Sequence, residues 1–269
     1  MEQQQLDKLK LWFDEYVNGF YGDDQFINAN IKLKHNHSKR TCTDMLYLAE
    51  HLKLDQNQRI IAETIALLHD IGRFEQFVKY RTYNDPASIN HSLLGIEILK
   101  QKNILAQLDQ AEQQIINQAI EYHGAKALPG DLKGPALLFS QLIRDADKLD
   151  IFYIAVHYYK QHAENPDSFK MEIELPDIPE YSQQVIEDIC EGKRVDYSKL
   201  RTWNDMKLCQ LAWVYDVNFT PTLKRIKQKR YLETVLDFLP KTDDITMVEQ
   251  KIFDYVNSTI EKNKLEIES

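Results

Sequence analysis

Leu67-Leu68-His69-Asp70-Ile71-Gly72-Arg73 is the stretch on which the reading of this 269-residue chain turns. An apolar run, Ile65 to Leu68, delivers an imidazole and a carboxylate side by side, and Gly72 then lets the chain turn. Neighbouring residues on a helix point about 100° apart, so His69 and Asp70 serve one small ligand only at a helix end. A metal ion sitting off that terminus would meet both side chains. Imidazole with carboxylate suits Zn, Fe, Mn or Ni better than Mg or Ca.

Outward from this stretch, the apolar pattern is helical. Leu6, Leu9, Phe13, Tyr16 and Val17 recur at helix spacing and predict a first helix, Leu6 to Phe20. A pattern around Ile27 and Ile31 follows, then a helix from His37 to Leu52. Asp55 with Gln58 reads as a capping box opening a helix from Arg59 to Asp70. Phe74 to Pro86 reads as an aromatic-rich loop. Ser88 is the expected N-cap of a helix carrying His91, Leu94, Gly95 and Ile98. Helices are further expected from Leu105 to His123, from about Ala136 to His162, and over 200–216, 220–239 and 247–265. Between Pro166 and about Tyr197 the prolines and acids predict an insertion or lid. No strand pair carries a hairpin signal, so the expected fold is all-α. The size prior favours one compact core. We expect residues 1–165 to form the metal-binding helical domain and 166–269 to form an insertion and C-terminal helices packing on it.

The bulk numbers narrow the function classes. Net charge is −9, which disfavours an extended nucleic-acid surface. A small anionic substrate at a local cationic site is compatible with it. Cys42, Cys190 and Cys209 are widely spaced and read as free thiols of a reducing compartment. The polar start MEQQQLDKLK has no apolar segment of a secretory signal, and no run approaches a membrane span. A cytoplasmic protein is expected.

Four further positions stand out: His37, His91, His123 and Asp147, each on a different predicted helix or helix end. Helical bundles build metal sites from inward residues of several helices. His91 and His123 sit among apolar positions, where an unpartnered histidine would cost about 1–3 kcal/mol, so each asks for a ligand or a single hydrogen-bond partner.

Taken together, His37 in HSKRT, His69–Asp70 in LLHDIGR, His91 in NHSLLG, His123 in IEYHG and Asp147 in DADKLD resemble the HD superfamily of metal-dependent phosphohydrolases. The resemblance covers about residues 30 to 160. HDIGRFEQF followed by NHSLLGIEIL is similar to a subgroup of small bacterial HD proteins. The resemblance implies a helical HD bundle with additional C-terminal helices. It implies one or two divalent transition-metal ions, with Fe or Mn favoured and Zn or Ni compatible. His37, His69, Asp70 and Asp147 would hold the first ion, and Asp70 would bridge to a second held by His91 and His123. His35 competes with His37, although Ser38 and Arg40 match the family only if His37 is the ligand. Asp145 and Asp150 compete with Asp147, which alone fits the Ala-Asp-x-Leu pattern.

Arg73 stands where many dinuclear members have lysine, and its planar fork suits a phosphate. It is expected to bind substrate and to serve catalysis beside Asp70, with Arg144 and Lys148 as further substrate contacts. The expected partner is a small phosphorylated molecule, a nucleotide or related metabolite, and no membrane. The absent GYP motif argues against cyclic di-guanylate. Trp203, Trp213 and Tyr215 read as core, and Lys224 to Arg230 as a basic helix face or a lid cation. The leading expectation is a phosphohydrolase using metal-activated water. Inositol-oxygenase-like members, which use the same ligands with iron, are the alternative. A binding module without catalysis fits poorly, because every ligand position is filled.

Overall fold

The protein is described by a computed structural model that covers residues 1–165 and 175–268, with side chains through residue 263. Among these residues there are only helices, short 3-10 turns and connecting segments, and no strand. The α-helices are α1 (Gln3–Asn18), α2 (Gln25–His51), α3 (Gln56–Leu68), α4 (Ile71–Tyr80), α5 (His91–Gln101), α6 (Gln110–Tyr122), α7 (Gly134–Glu164), α8 (Gln183–Cys190), α9 (Trp203–Ala212), α10 (Thr220–Gln228), α11 (Tyr231–Asp237) and α12 (Asp243–Glu268). No helix among the described residues is long and apolar enough to cross a membrane. The chain divides into two compact units, Met1–Asp150 and Ile151 onward, with the boundary inside α7.

In the first unit, α1 buries Leu6, Leu9, Phe13 and Val17, a stripe at 3.6-residue spacing. α1 packs on α3, where Ile61, Ile65 and Leu68 are buried, and α3 in turn packs on α2, where Ile31, Met45 and Leu48 are buried. Each such side chain contributes roughly 1.5–3 kcal/mol by burial. The capping box at α3 forms as the sequence predicts: Gln58 N donates to Asp55 Oδ1 at 2.9 Å, and Asp55 N donates to Gln58 Oε1 at 3.0 Å.

Several expected boundaries move. The patterns around Ile27 and from His37 belong to one helix, α2, opened by Asp24, whose carboxylate accepts from Phe26 N and Ile27 N. The segment read as an aromatic loop is helical as far as Tyr80. Ile71, Phe74 and Phe77 lie three residues apart and form its buried face, with Phe74 against Phe13 at 5.9 Å. Their spacing was a helix signal that aromatic content concealed. The α5 cap is Asn90, accepting from Leu93 N at 3.0 Å, and not Ser88. The helix read from Leu105 begins only at Gln110, where Asp109 caps it. The helix read over 220–239 breaks at Arg230, whose φ is 54°.

In the second unit, Phe152 packs against Trp213 and Tyr231 at 5.4 and 5.8 Å, and Tyr215 against Tyr255 at 4.7 Å. Trp203 is buried as the sequence reading expects, whereas Trp213 and Tyr215 are only half-buried at the edge of the core. Lys224, Lys227, Lys229 and Arg230 are exposed. α8 forms where weak periodicity predicted an insertion or lid; residues 166–174 of that stretch lie outside the described residues.

Candidate metal centre

His37 comes from the middle of α2 and Asp147 from α7, while the remaining candidates sit at helix ends. His69 closes α3 and Asp70 stands at the start of α4, with φ −103° and ψ 17° between the two helices. The Asp70 side chain makes no capping hydrogen bond there, which leaves both carboxylate oxygens for other partners. His91 is the first residue of α5, and His123 follows the last residue of α6. Gly72 has no left-handed backbone, so it does not serve as a turn glycine. A Cβ there would overlap the carbonyl oxygen of His91 and stand 2.8 Å from Gly95 N. The glycine is needed for the close approach of α4 to α5.

The six side chains converge in two groups. In the first, His37 Nε2 lies 3.2 Å from His69 Nε2, 3.3 Å from Asp70 Oδ2 and 3.1 Å from Asp147 Oδ1. His69 Nε2 is 3.6 and 3.7 Å from the same two oxygens. In the second, His91 Nε2 and His123 Nε2 are 3.0 Å apart, and each is 3.5 Å from Asp70 Oδ1. Asp70 thus turns one oxygen to each group. His37, His69, Asp70, His91 and His123 are all buried. His35 faces outward to Asp14 at 2.7 Å. Asp150 lies on the far side of His37, 2.7 Å from its Nδ1.

Each imidazole is held from behind. His37 Nδ1 donates to Asp150, His69 Nδ1 to Ala66 O at 2.8 Å, His91 Nδ1 to Asp85 Oδ2 at 2.6 Å and His123 Nδ1 to Ile120 O at 2.7 Å. In its neutral form a ring that donates from Nδ1 keeps a lone pair on Nε2, the tautomer a metal needs. Asp150 is gripped in turn by Arg40, whose Nε and Nη2 reach its oxygens at 2.5 and 3.0 Å. Gln76 Nε2 ties Asp85, Ser88 and Ile89 O together at 2.9 Å each. The sequence reading missed Asp85 and Gln76, since a loop acid before proline and a helix glutamine carry no signal of their own.

The ionisation pattern follows from burial and charge. Burial and then Arg73 push His91 down to about 4, so it is neutral near pH 7. Burial also lowers His69, outweighing Asp70 and Asp147. For His37, burial and Lys34 act downward, but hydrogen bonds to Asp147, Asp150 and Asp70 prevail and push it up to about 10. Burial would raise Asp70, yet Lys34 and the imidazoles hold it well below the usual carboxylate range. Desolvation would raise Asp147 as well, yet His37 and His69 hold it well below the usual carboxylate range. The pocket is built to contain positive charge.

The expected substrate cations are differently engaged. One nitrogen of Arg73, Nη1, donates to Gln76 Oε1, Tyr83 O and Asp85 Oδ1 at 2.8, 2.7 and 2.8 Å, and Nε is 3.5 Å from Asp70 Oδ1. Buried Arg144 donates to the carbonyls of Tyr122, His123 and Ala125, completing the C-terminal end of α6. Lys148 Nζ reaches Arg144 O at 3.4 Å. The cation nearest the ligand oxygens is instead Lys34, whose Nζ lies 2.7 Å from Asp70 Oδ2.

The donor set fits a metal. An ion with tetrahedral bonds of 2.0–2.1 Å keeps its donors about 3.3 Å apart, and these atoms stand 3.0–3.7 Å apart. His37, His69 and Asp70, and again Asp70, His91 and His123, are groups able to hold one ion each. Asp147 Oδ1 stands beside the first group, 3.1 Å from His37 Nε2 and 3.7 Å from His69 Nε2.

Residues 35–151 match the family model of the HD domain. Comparisons with curated proteins and with solved structures give no match. The matched residues contain all six converging side chains, together with the Asp85 and Asp150 that orient two of them. Residues 35–151 are therefore an HD domain, the domain of a superfamily of metal-dependent hydrolases that bind divalent metals.

Proposed function

We propose that this protein is a phosphohydrolase that cleaves a phosphomonoester or phosphodiester bond of a nucleotide or related small metabolite. His37, His69, Asp70 and Asp147 would hold one divalent ion, and Asp70, His91 and His123 a second. Four imidazoles and two carboxylates favour Fe or Mn. The observation that carries this reading is the division of Asp70, with Oδ2 toward His37 and His69 and Oδ1 toward His91 and His123.

A pair of such ions, when bound, supplies Lewis acidity toward a phosphoryl oxygen and an acidified water as nucleophile. The chain's own residues supply the rest. Asp150, Ala66 O, Asp85 and Ile120 O lock the four rings, so their lone pairs need no rearrangement during the reaction. His37 and His69, fully buried, wall off bulk water, which strengthens every charge interaction inside. Asp147 and Arg73 line the more open edge, with side chains 18% and 15% exposed.

The test is release of inorganic phosphate, read with malachite green, from a panel of nucleotides, sugar phosphates and phosphodiesters (the diesters supplemented with a phosphatase), using protein reconstituted with Mn²⁺ or Fe²⁺. Turnover of at least one substrate, lost in Asp70→Ala, is expected. Metal-loaded protein that releases no phosphate from any of them, but takes up dioxygen with a polyol, would overturn the reading in favour of an oxygenase.

A further inference from the structure

A phosphate between two ions still presents oxygens facing away from them, and a cation there has to be free to reach. Arg73 is anchored through Nη1 to Asp85, Gln76 and Tyr83 O, and Arg144 is tied to the carbonyls around His123. Lys34 differs. It lies one turn before His37 on α2, at the more open edge, its side chain 15% exposed. Its ammonium makes a hydrogen bond to Asp70 Oδ2, the oxygen that also faces His37 and His69. It also stands 5.4 Å from the ring centroid of Tyr83, which is anchored by its hydroxyl to Asn30 O at 2.9 Å. Lys34 lies one residue before the match to the HD domain begins.

We infer that Lys34 is the substrate-anion residue of this centre, held on Asp70 in the metal-free protein and released toward substrate phosphate when metal takes Asp70. This rests on the phosphohydrolase reading. An ion accepting Asp70 Oδ2 puts a second positive charge beside the ammonium, and like charges at such distance repel by several kcal/mol even at an effective dielectric constant of about 20. A lysine has the flexible four-carbon stem to move, which a forked arginine with three fixed acceptors lacks. The Tyr83 face offers the ammonium a place to rest on the way, by cation–π attraction. The residue thus serves two states: it neutralises a buried carboxylate when metal is absent and supplies the anion contact when metal is present.

Two binding measurements, neither of them an activity, test this. Metal-free wild type, Lys34→Met, Lys34→Arg and, as a control on an exposed lysine of the same helix, Lys32→Met are titrated with Mn²⁺ by calorimetry. The Mn²⁺-loaded proteins are then titrated with inorganic phosphate, and circular dichroism reports their helix content. Lys34→Met is expected to bind Mn²⁺ at least about 10-fold more tightly, because it no longer competes for Asp70, and to bind phosphate about 10- to 100-fold more weakly. Lys34→Arg should recover most of the phosphate affinity, and Lys32→Met should match wild type in both. Unchanged or weaker Mn²⁺ binding in folded Lys34→Met would overturn the competition for Asp70. Unchanged phosphate binding in that variant, with wild type binding phosphate normally, would overturn the anion role while leaving the phosphohydrolase reading intact. Wild type that holds Mn²⁺ but takes up no phosphate would count against the phosphohydrolase reading, and the anion role of Lys34 would fall with it.

Discussion

Gly72 lies so close to His91 that a β-carbon on the one would overlap the carbonyl oxygen of the other. The motif that supplies His69 and Asp70 to the first donor group thereby also fixes where α5 begins, and so where the second group stands. Gly72→Ala must push α4 and α5 apart. Overpacking against backbone, which cannot rotate away as a side chain can, costs about 1–3 kcal/mol or more, well beyond the roughly 0.4–1 kcal/mol an alanine saves in the unfolded chain. We expect Tm to fall by several degrees and the second ion to be bound more weakly; thermal melts and metal analysis check both, and an unchanged Tm would refute the overlap.

Asp70 turns one oxygen to each donor group, so its loss should differ in kind from loss of a histidine. Asp70→Ala is expected to deplete both ions, whereas His91→Ala or His123→Ala should lower the stoichiometry by one and leave the first ion. Elemental analysis of purified protein decides this. A full complement of metal in Asp70→Ala would sink the assignment.

Asp85 accepts from His91 Nδ1 at 2.6 Å, and burial of its carboxyl is outweighed by His91, Arg73 and Gln76, which hold it down at about 2. It is therefore a carboxylate at any working pH. Asp85→Asn keeps the shape but removes that charge, and the second ion should be held about 10- to 100-fold more weakly. The first ion should be unaffected, which competition with a chelator can resolve site by site.

Arg73 joins Asp85, Gln76 and the Tyr83 carbonyl. Arg73→Ala is expected to lower kcat/KM by roughly 10² or more, or about 3 kcal/mol, and to weaken the second ion at the same time, since Asp85 loses its partner. Arg73→Lys should restore part of this, because its ammonium can donate to the same three acceptors that the single nitrogen Nη1 serves. Loss of activity with full metal would instead mark Arg73 as a direct substrate contact.

Cys42 and Cys209 are buried, and burial pushes both thiols up to about 12. Cys190, at the end of α8, is partly exposed, and burial raises its thiol above the usual value. The thiolate is the reactive form, and below the pKa its fraction rises with pH. Native protein should therefore show one fast-reacting thiol with a disulfide reagent at pH 8, faster still at pH 9 and absent in Cys190→Ser. The other two should wait for unfolding.

The helical character of the chain could be read directly, because 3.6-residue stripes such as Leu6–Leu9–Phe13–Val17 are local facts. So could the Asp55–Gln58 cap, whose two bonds close within four residues. Phe74 and Phe77 lie in a stretch whose aromatic content reads as loop, yet with Ile71 they form one buried helical stripe. The residue types of the candidate metal centre are visible because His37, His69, Asp70, His91, His123 and Asp147 each sit in a recognisable motif. What sequence could not decide is the orientation of anything behind or beside them. Asp147 and Asp150 lie three residues apart on one helix face, and only the packing of α7 against α2 turns the first toward His37 Nε2 and the second toward Nδ1. Arg73 looked like a free phosphate fork until the 85–89 turn folded over it. Lys34 looked like a surface charge until α2 and the α3–α4 junction brought it to Asp70. Ligand identity is a property of residue type and motif, written along the chain. The partner of a charge depends on which elements meet in space, and local spacing carries no record of that.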